Sequence, residues 1–308
     1  MEIYVVGSKS DFNEDQMKRL QNLGDLFFIE EVKDKYNEKY IKRNAEKILV
    51  IDPDLMGWEL KNDLIDKIPN LKALCLMSTS YSYVDIDYCN KNNIIVTNVP
   101  KYSTESVAEY ACFLMMAIAR KLPIQMKNGF KEDFSAKFMG TQINNKKVGI
   151  IGLGTIGTRL AEVLSGMGMN VSYWSRKSRD NRFNYEGLEE LFKTSDFIFP
   201  TFLINDETKK IITDDLINSM KNSSSIISIV GTDCFNKDLV LNKVKNNELY
   251  GFAFESGTEN MNNFEGNVMI TGPYAWYTRE SLENCIEIWV KSVEGVATGN
   301  VVNRVLNN

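Results

Sequence analysis

No histidine occurs anywhere in the 308 residues. That absence removes the commonest acid/base side chain near neutral pH and the commonest metal ligand, so no metal site is expected. The 5 cysteines, Cys75, Cys89, Cys112, Cys234 and Cys285, show no C-x-x-C spacing, are odd in number and lie mostly in apolar contexts. This pattern predicts reduced core thiols in a cytoplasmic protein rather than a disulfide framework. The longest apolar run, Ala111 to Ala119, is too short to span a bilayer, and no basic-then-apolar leader opens the chain. Excess positive charge is absent too. Lys and Arg total 36 against 41 Asp and Glu, a net charge of −5, which argues against a nucleic-acid surface. Neither a short fixed repeat nor a low-complexity tract is present.

What is there is ordinary for a globular protein, 44% hydrophobic and 25% charged residues in a chain long enough for two domains. Apolar runs suited to buried strands stand at Glu2–Val6, Leu26–Ile29, Lys47–Ile51, Ala73–Met77 and Ile94–Thr97. Helical patterns between them cover 11–24, Tyr40–Ala45, 59–67 and one more short stretch, with breaks at Gly24, Pro53 and Pro69. A second series runs Val148–Ile151, Asn170–Trp174, Asp196–Pro200, Ser225–Val230, Tyr250–Phe254 and Val268–Thr271. Alternation of this kind predicts α/β domains with parallel sheets covered on both faces. Pro100–Thr104 reads as the crossing point between them. Ser106–Ala119 is apolar almost all round and predicts a buried helix, with Ser106 and Glu109 spaced as a capping box. Lys121–Gln142 reads as a polar connection, and the final helix, Ser281–Val296, as returning to the first domain before a surface tail, Asn300–Asn308. The expected division is 1–98 plus 281–308, and 99–280.

The most informative stretch is Val148 to Ala161. A short apolar strand leads into Gly152, Gly154 and Gly157 at G-x-G-x-x-G spacing, and a helical pattern follows with Leu160, Ala161, Val163, Leu164 and Met167 on one side. The order has a chemical reason. Gly152 permits a tight turn, Gly154 lets a pyrophosphate approach the backbone, and Gly157 allows close packing of helix on strand. The helix start at Thr155, Ile156 and Gly157 then offers free N–H groups and the positive dipole end to phosphates. A dinucleotide site is expected.

Selection between the two nicotinamide cofactors is read about 20 residues further on, where an acidic residue holds the ribose hydroxyls of NAD. Here the second strand ends Tyr173-Trp174-Ser175-Arg176-Lys177-Ser178-Arg179. Ser175 replaces the carboxylate and cations follow, so Ser175, Arg176 and Lys177 are expected to hold the 2′-phosphate of NADP. NADP(H) is therefore expected in preference to NAD(H).

These residues and several others carry a family resemblance. Ile94–Pro100, Glu105–Glu109, Gly149–Gly157, Gly168–Val171, Ser195–Phe197, Asp206–Lys209 and Gly295–Val302 together resemble the D-isomer-specific 2-hydroxyacid dehydrogenases. That group includes D-lactate and phosphoglycerate dehydrogenases and glyoxylate/hydroxypyruvate reductases. The resemblance implies two flavodoxin/Rossmann-like doubly wound parallel-sheet domains with a cleft between them. It also implies a substrate domain and an NAD(P)-binding domain, cofactor contacts from Val230 and Glu255, and a homodimer through the cofactor domain. A small 2-keto or 2-hydroxy acid would be the substrate.

At the catalytic positions the sequence departs from the family pattern of arginine, glutamate and histidine. Ser228-Ile229-Val230-Gly231 puts Gly231 where the arginine stands, and Thr271-Gly272-Pro273-Tyr274 puts Tyr274 at the histidine. The glutamate position falls on Asn260, or on Glu259 if the loop is one residue shorter. Reduction of a keto acid needs a hydride, a proton for the forming alkoxide and a cation at the carboxylate. A phenol can donate the proton, but its reference pKa is ~10, so a neighbouring cation is needed, and Lys101 is the one proposed. The substrate turn, Thr79-Ser80-Tyr81-Ser82-Tyr83, has serines where the family usually has glycines, so Ser80, Tyr81 and Ser82 are candidate substrate contacts together with Lys101. Two readings follow: an oxidoreductase with an altered catalytic set, acting on a hydroxy acid or on a related carbonyl compound without a carboxylate, or a catalytically impaired NADP-binding sensor or interaction protein.

Overall fold

The computed structural model describes residues 1–30 and 44–306. The chain falls into two units, Met1–Ser103 with Arg279–Asn308, and Thr104–Thr278. In the first unit five parallel strands, β1 (Glu2–Val6), β2 (Asp25–Ile29), β3 (Lys47–Ile51), β4 (Leu71–Leu76) and β5 (Ile95–Thr97), form a sheet of order β2-β1-β3-β4-β5. Strands β1 and β3 are buried at every residue, which is why they read as continuous apolar runs rather than as alternating ones. Their side chains still alternate. Ile3 and Val5 join the core that holds Trp289, while Tyr4 and Val6 join the opposite one.

The helix Arg279–Thr298 supplies that Trp289 face and belongs to the first unit although the intervening 175-odd residues do not. It is held by more than apolar packing. The Trp289 indole is 1% exposed, and its Nε1 donates to the Cys75 carbonyl at 2.8 Å. Arg19 grips Glu294 through two N–H groups at 2.8 and 2.7 Å and reaches Glu287 at 2.9 Å. Planar two-point pairing of this kind fixes orientation as well as position.

The second unit carries seven parallel strands: β6 (Lys147–Ile151), β7 (Asn170–Trp174), β8 (Asn184–Tyr185), β9 (Phe197–Pro200), β10 (Ser225–Ser228), β11 (Gly251–Glu255) and β12 (Val268–Thr271). Their order, β12-β11-β10-β9-β6-β7-β8, reverses direction between β6 and β9. This is the strand order of a dinucleotide-binding sheet, and its ligands sit at the carboxyl ends of the strands flanking that reversal. Both sheets are thus parallel and covered on both faces, as the alternating sequence pattern requires.

Several local expectations need correction. The helix over 11–24 is confined to Glu14–Gln21, because Asn13 caps it with Gln16 in a capping box and a separate 3-10 turn occupies Lys9–Asp11. The 59–67 helix shortens to Asn62–Asp66. Pro53 does not merely break the chain; it begins the short helix Pro53–Met56, capped by Asp52. Ser106 is not a cap. The long helix already starts at Thr104 and runs to Ala119, so Ser106 is buried in its first turn. The connection 121–142 contains the helix Leu122–Lys127. The helix expected at Tyr40–Ala45 falls mostly outside the described residues. Strand β8 was not foreseen, since both its residues are exposed and carry no apolar signal. All 5 cysteines are free and buried, as expected.

Trp289→Ala removes the largest buried side chain of the first unit together with its hydrogen bond. A loss of about 3–5 kcal/mol is expected, read as a lowered denaturant midpoint with the slope unchanged.

Candidate cofactor and active site

Strand β6 ends at Ile151, and the next residue, Gly152, has a φ of +100° that favours glycine. The Gly152 N–H donates to the Trp174 carbonyl at 2.8 Å, and its own carbonyl accepts from Thr201 Oγ1 at 2.6 Å. The turn is therefore tied to β7 on one side and to the end of β9 on the other. Gly157 lies one helical turn on, and a Cβ there would stand 2.1 Å from the Gly152 carbonyl oxygen and 2.7 Å from Thr201 Oγ1. Gly154 differs: a Cβ on it would meet nothing within 4 Å. It is the N-cap of the helix Thr155–Gly166 and makes no side-chain capping bond. Gly154 and Thr155 are exposed and Ile156 is half-buried. Two glycines are thus required by packing, and the third leaves a bare cradle in front of a helix N-terminus. These residues fit a pyrophosphate.

At the end of β7 the structure sorts the cluster of cations. Ser175 is buried, and its hydroxyl oxygen accepts from the Ser178 N–H at 3.2 Å. Arg179 folds back to donate to the Ser175 and Ser178 carbonyls at 2.9 and 2.8 Å, and its guanidinium lies 4.0 Å from the centre of the Tyr185 ring. Arg179 is therefore a brace for the turn. Lys177 is exposed. Arg176 is exposed as well, and its Nη1 stands 2.7 Å from Glu207 Oε2, in the loop after β9. Sequence reasoning did not identify Glu207 as part of this site.

Gly231, Asn260 and Tyr274, the residues expected at the family's catalytic positions, belong to the same unit. Gly231, at φ +89°, follows the half-buried Val230, and its carbonyl accepts from Ser228 Oγ at 2.6 Å. An arginine could not take this backbone without strain. Glu255 ends β11, half-buried, and its Oε1 accepts from the Ala275 N–H at 2.8 Å. Burial raises its carboxyl above the usual range, against the pull of backbone N–H groups from Ala275 and Tyr274. Tyr274 is 59% exposed, and its ring covers Gly272, where a Cβ would lie 2.5 Å from the ring edge. Asn260 is exposed and uses its side-chain oxygen to cap Asn262 at 2.9 Å. Glu259 is paired with Lys237 at 2.7 Å.

One further residue sits with Glu255 and Tyr274. Tyr110, on the helix Thr104–Ala119, is partly buried, and that burial raises its hydroxyl pKa, against a lowering by Thr271 and with smaller upward contributions from Glu255 and Tyr274. The only sequence signal for it was its place one residue after the Glu105–Glu109 stretch.

Ser80, Tyr81, Ser82 and Lys101 stand in the first unit. The three turn residues are exposed, and the Ser80 and Ser82 hydroxyls are 3.2 Å apart. The turn is anchored beneath by Ser78, which donates to the Ser80 carbonyl at 2.6 Å and lies 2.9 Å from the Tyr83 hydroxyl. Tyr83 is half-buried and packs edge-on against Trp58, and burial pushes its hydroxyl up to about 12. It is a support rather than a surface contact. Lys101 is exposed at φ +64°, in the turn before the long helix.

Residues 112–264 match the family model of the D-isomer specific 2-hydroxyacid dehydrogenase NAD binding domain. A provisionally named 2-hydroxyacid dehydrogenase of Staphylococcus saprophyticus is 28% identical over 264 residues, covering 83% of this chain and 82% of that protein. One from Staphylococcus epidermidis is 26% identical over 262 residues, covering 82% and 81%. Among solved structures, an acyclic imino acid reductase in complex with NADPH and D-Arg superposes with a TM-score of 0.82 at 24% identity, covering 99% of this chain and 100% of that one. A D-lactate dehydrogenase with NAD+ from Lactobacillus jensenii gives 0.79 at 20%, covering 100% of both. At such identities these structures establish the fold alone.

The two kinds of glycine separate experimentally. Gly157→Ala should lower stability by about 1–3 kcal/mol or more, because the methyl group meets backbone. Gly154→Ala should leave the melting curve within about 0.5–1 kcal/mol of wild type yet weaken dinucleotide binding by at least about tenfold, read by fluorescence titration.

Proposed function

The chain belongs to the D-isomer specific 2-hydroxyacid dehydrogenase family, and from that premise we propose that it is an NADP(H)-linked oxidoreductase with an altered catalytic set. The observation that carries the cofactor choice is the end of β7, where Ser175 and Arg176 occupy the place of a ribose-binding carboxylate. Gly152, Gly154, Thr155, Ile156 and Gly157 hold the pyrophosphate, Ser175, Arg176 and Lys177 the 2′-phosphate, and Val230 and Glu255 flank the nicotinamide end. When bound, the nicotinamide supplies or accepts the hydride. Tyr274 is the proton donor at the position of the family histidine. Ser80, Tyr81, Ser82 and Lys101 are the substrate contacts, and the substrate is a small 2-keto or 2-hydroxy acid or a related carbonyl compound.

A second reading is favoured by what Gly231 and Tyr274 cannot do. Gly231 offers no cation, and a phenol is intrinsically a weaker acid than the imidazolium it would replace. A protonated imine needs neither group to the same degree, because it brings its own proton and positive charge; hydride addition to its carbon yields the amine directly. Similarity to an imino acid reductase that binds NADPH supports this reading. The family's ordinary keto acids should accordingly be poor substrates, since one missing oxyanion-type donor alone costs about 2.7–4 kcal/mol.

The quaternary proposal is a homodimer through the cofactor-domain half of the chain. The segment after the helix Leu122–Lys127 presents Phe130, Phe134 and Met139 at 65%, 88% and 68% exposure, large apolar side chains of the kind a partner surface would cover. The buried thiols suit a reducing, cytoplasmic setting.

A screen of NADPH oxidation across 2-keto acids, aldehydes and keto acid–amine mixtures tests the chemistry. Turnover with glyoxylate or pyruvate at about 1–10³ per second would show that the catalytic residues are misplaced. No turnover with any of them, with tight NADPH binding retained, would favour the impaired sensor. Where activity is found, Tyr274→Phe should lower kcat by on the order of 10²–10⁴ for a carbonyl and far less for an imine, while sparing NADPH affinity. Light scattering should give twice the monomer mass for the native protein, and Phe134→Asp with Phe130→Asp should return it toward one.

A further inference from the structure

The Arg176–Glu207 pair joins the two loops that flank the glycine turn. Arg176 follows β7 and Glu207 follows β9, the strands on either side of β6 and its glycine turn. The distance of 2.7 Å is that of a charge-assisted hydrogen bond. Glu207 is 75% exposed, so the pair is not there to satisfy a buried charge. Its backbone is nonetheless set firmly. The Asn205 side chain accepts from the Glu207 and Thr208 N–H groups at 3.0 and 3.1 Å, and Thr208 Oγ1 donates to the Leu203 carbonyl at 2.6 Å. A carboxylate is thereby held beside the one guanidinium of the β7 turn that is not folded back as a brace.

We infer that Glu207 is a specificity-determining residue: an intramolecular anion that competes with the 2′-phosphate of NADP for Arg176. This rests on the reading of the β7 turn as a 2′-phosphate site. A guanidinium can pair with a carboxylate or a phosphate through the same N–H groups, so the two anions compete for Arg176. NADH, with a ribose hydroxyl at that place, leaves the ion pair intact. Glu207 therefore weakens NADPH binding and not NADH binding, and narrows the gap between the two cofactors.

Direct titration of the full-length protein tests this without any substrate. Binding of NADPH, NADH, adenosine 2′,5′-bisphosphate and AMP is measured for wild type, Glu207→Gln, Arg176→Ala and the double variant. Both residues are exposed, and a melting curve checks that each variant folds. Glu207→Gln should tighten NADPH and the bisphosphate by about two- to fivefold, the range of an exposed ion pair, and leave NADH and AMP unchanged. Arg176→Ala should weaken NADPH and the bisphosphate, and in that background Glu207→Gln should have no further effect, the non-additivity expected of two groups in one network. If Arg176→Ala weakens NADPH but Glu207→Gln does not tighten it, or tightens NADPH and NADH alike, the competition is overturned while the phosphate site stands. If Arg176→Ala leaves NADPH untouched, the phosphate site is wrong and the competition falls with it.

Discussion

A methyl group on residue 157 would lie 2.1 Å from the carbonyl oxygen of Gly152, and most of the second unit's geometry follows from that closeness. The helix Thr155–Gly166 can begin where it does only because nothing projects from Gly157. Its free N–H groups then point across Gly154, the position where a side chain would meet no neighbour. The same Gly152 carbonyl is held by Thr201, the first residue past β9. The loop that starts there carries Phe202 against Gly152 and, a few residues later, Glu207. One close backbone approach therefore fixes the phosphate cradle and the start of the loop that reaches back to Arg176.

Charge at the cofactor site is organised by small local bonds rather than by net excess. A run of cations after β7 looks like one positive patch. In the folded chain Arg179 spends its donors on two backbone carbonyls, Arg176 on a carboxylate, and Lys177 remains in solvent. Exposed pairs of this sort contribute little to stability, ~0–1 kcal/mol, so the Arg176–Glu207 pair has small consequences for folding and larger ones for what else can approach the guanidinium.

The strands, the two-sheet architecture, the glycine turn and the burial of the thiols were legible because each depends on short-range rules: apolar runs, glycine spacing, no disulfide pattern. Helix starts were less so. Ser106 and Glu109 have the spacing of a cap, yet the apolar face from Val107 onward packs so well that the helix extends a turn upstream and buries Ser106. Glu207 and Tyr110 were not legible at all as site residues. Glu207 is 31 positions from its partner, and Tyr110 comes within electrostatic reach of Glu255 and Tyr274 only because the long helix packs on β11 and β12. Contacts of that separation leave no periodic trace in a sequence.

At the positions proposed as catalytic, the backbone as well as the side chains limits the chemistry on offer. With Gly231 at φ +89° and its carbonyl held by Ser228, the backbone itself is turned to a conformation that an arginine disfavours. At the histidine position, Tyr274 lies over Gly272, and the nearby acid, Glu255, is occupied by backbone N–H groups rather than polarising the phenol. Gly231 itself supplies no side-chain cation, and the Glu255 carboxylate accepts from backbone. Such a site can still lower a barrier by positioning, which is worth several kcal/mol when two reactants are held in line, provided the substrate itself bears the charge and the proton that the protein does not supply. On the proposed imine reading a cationic carbon–nitrogen double bond meets that condition, whereas on the proposed carbonyl reading the proton has to come from Tyr274. On either proposed reading, what Gly231 and Tyr274 can supply constrains what the substrate must bring.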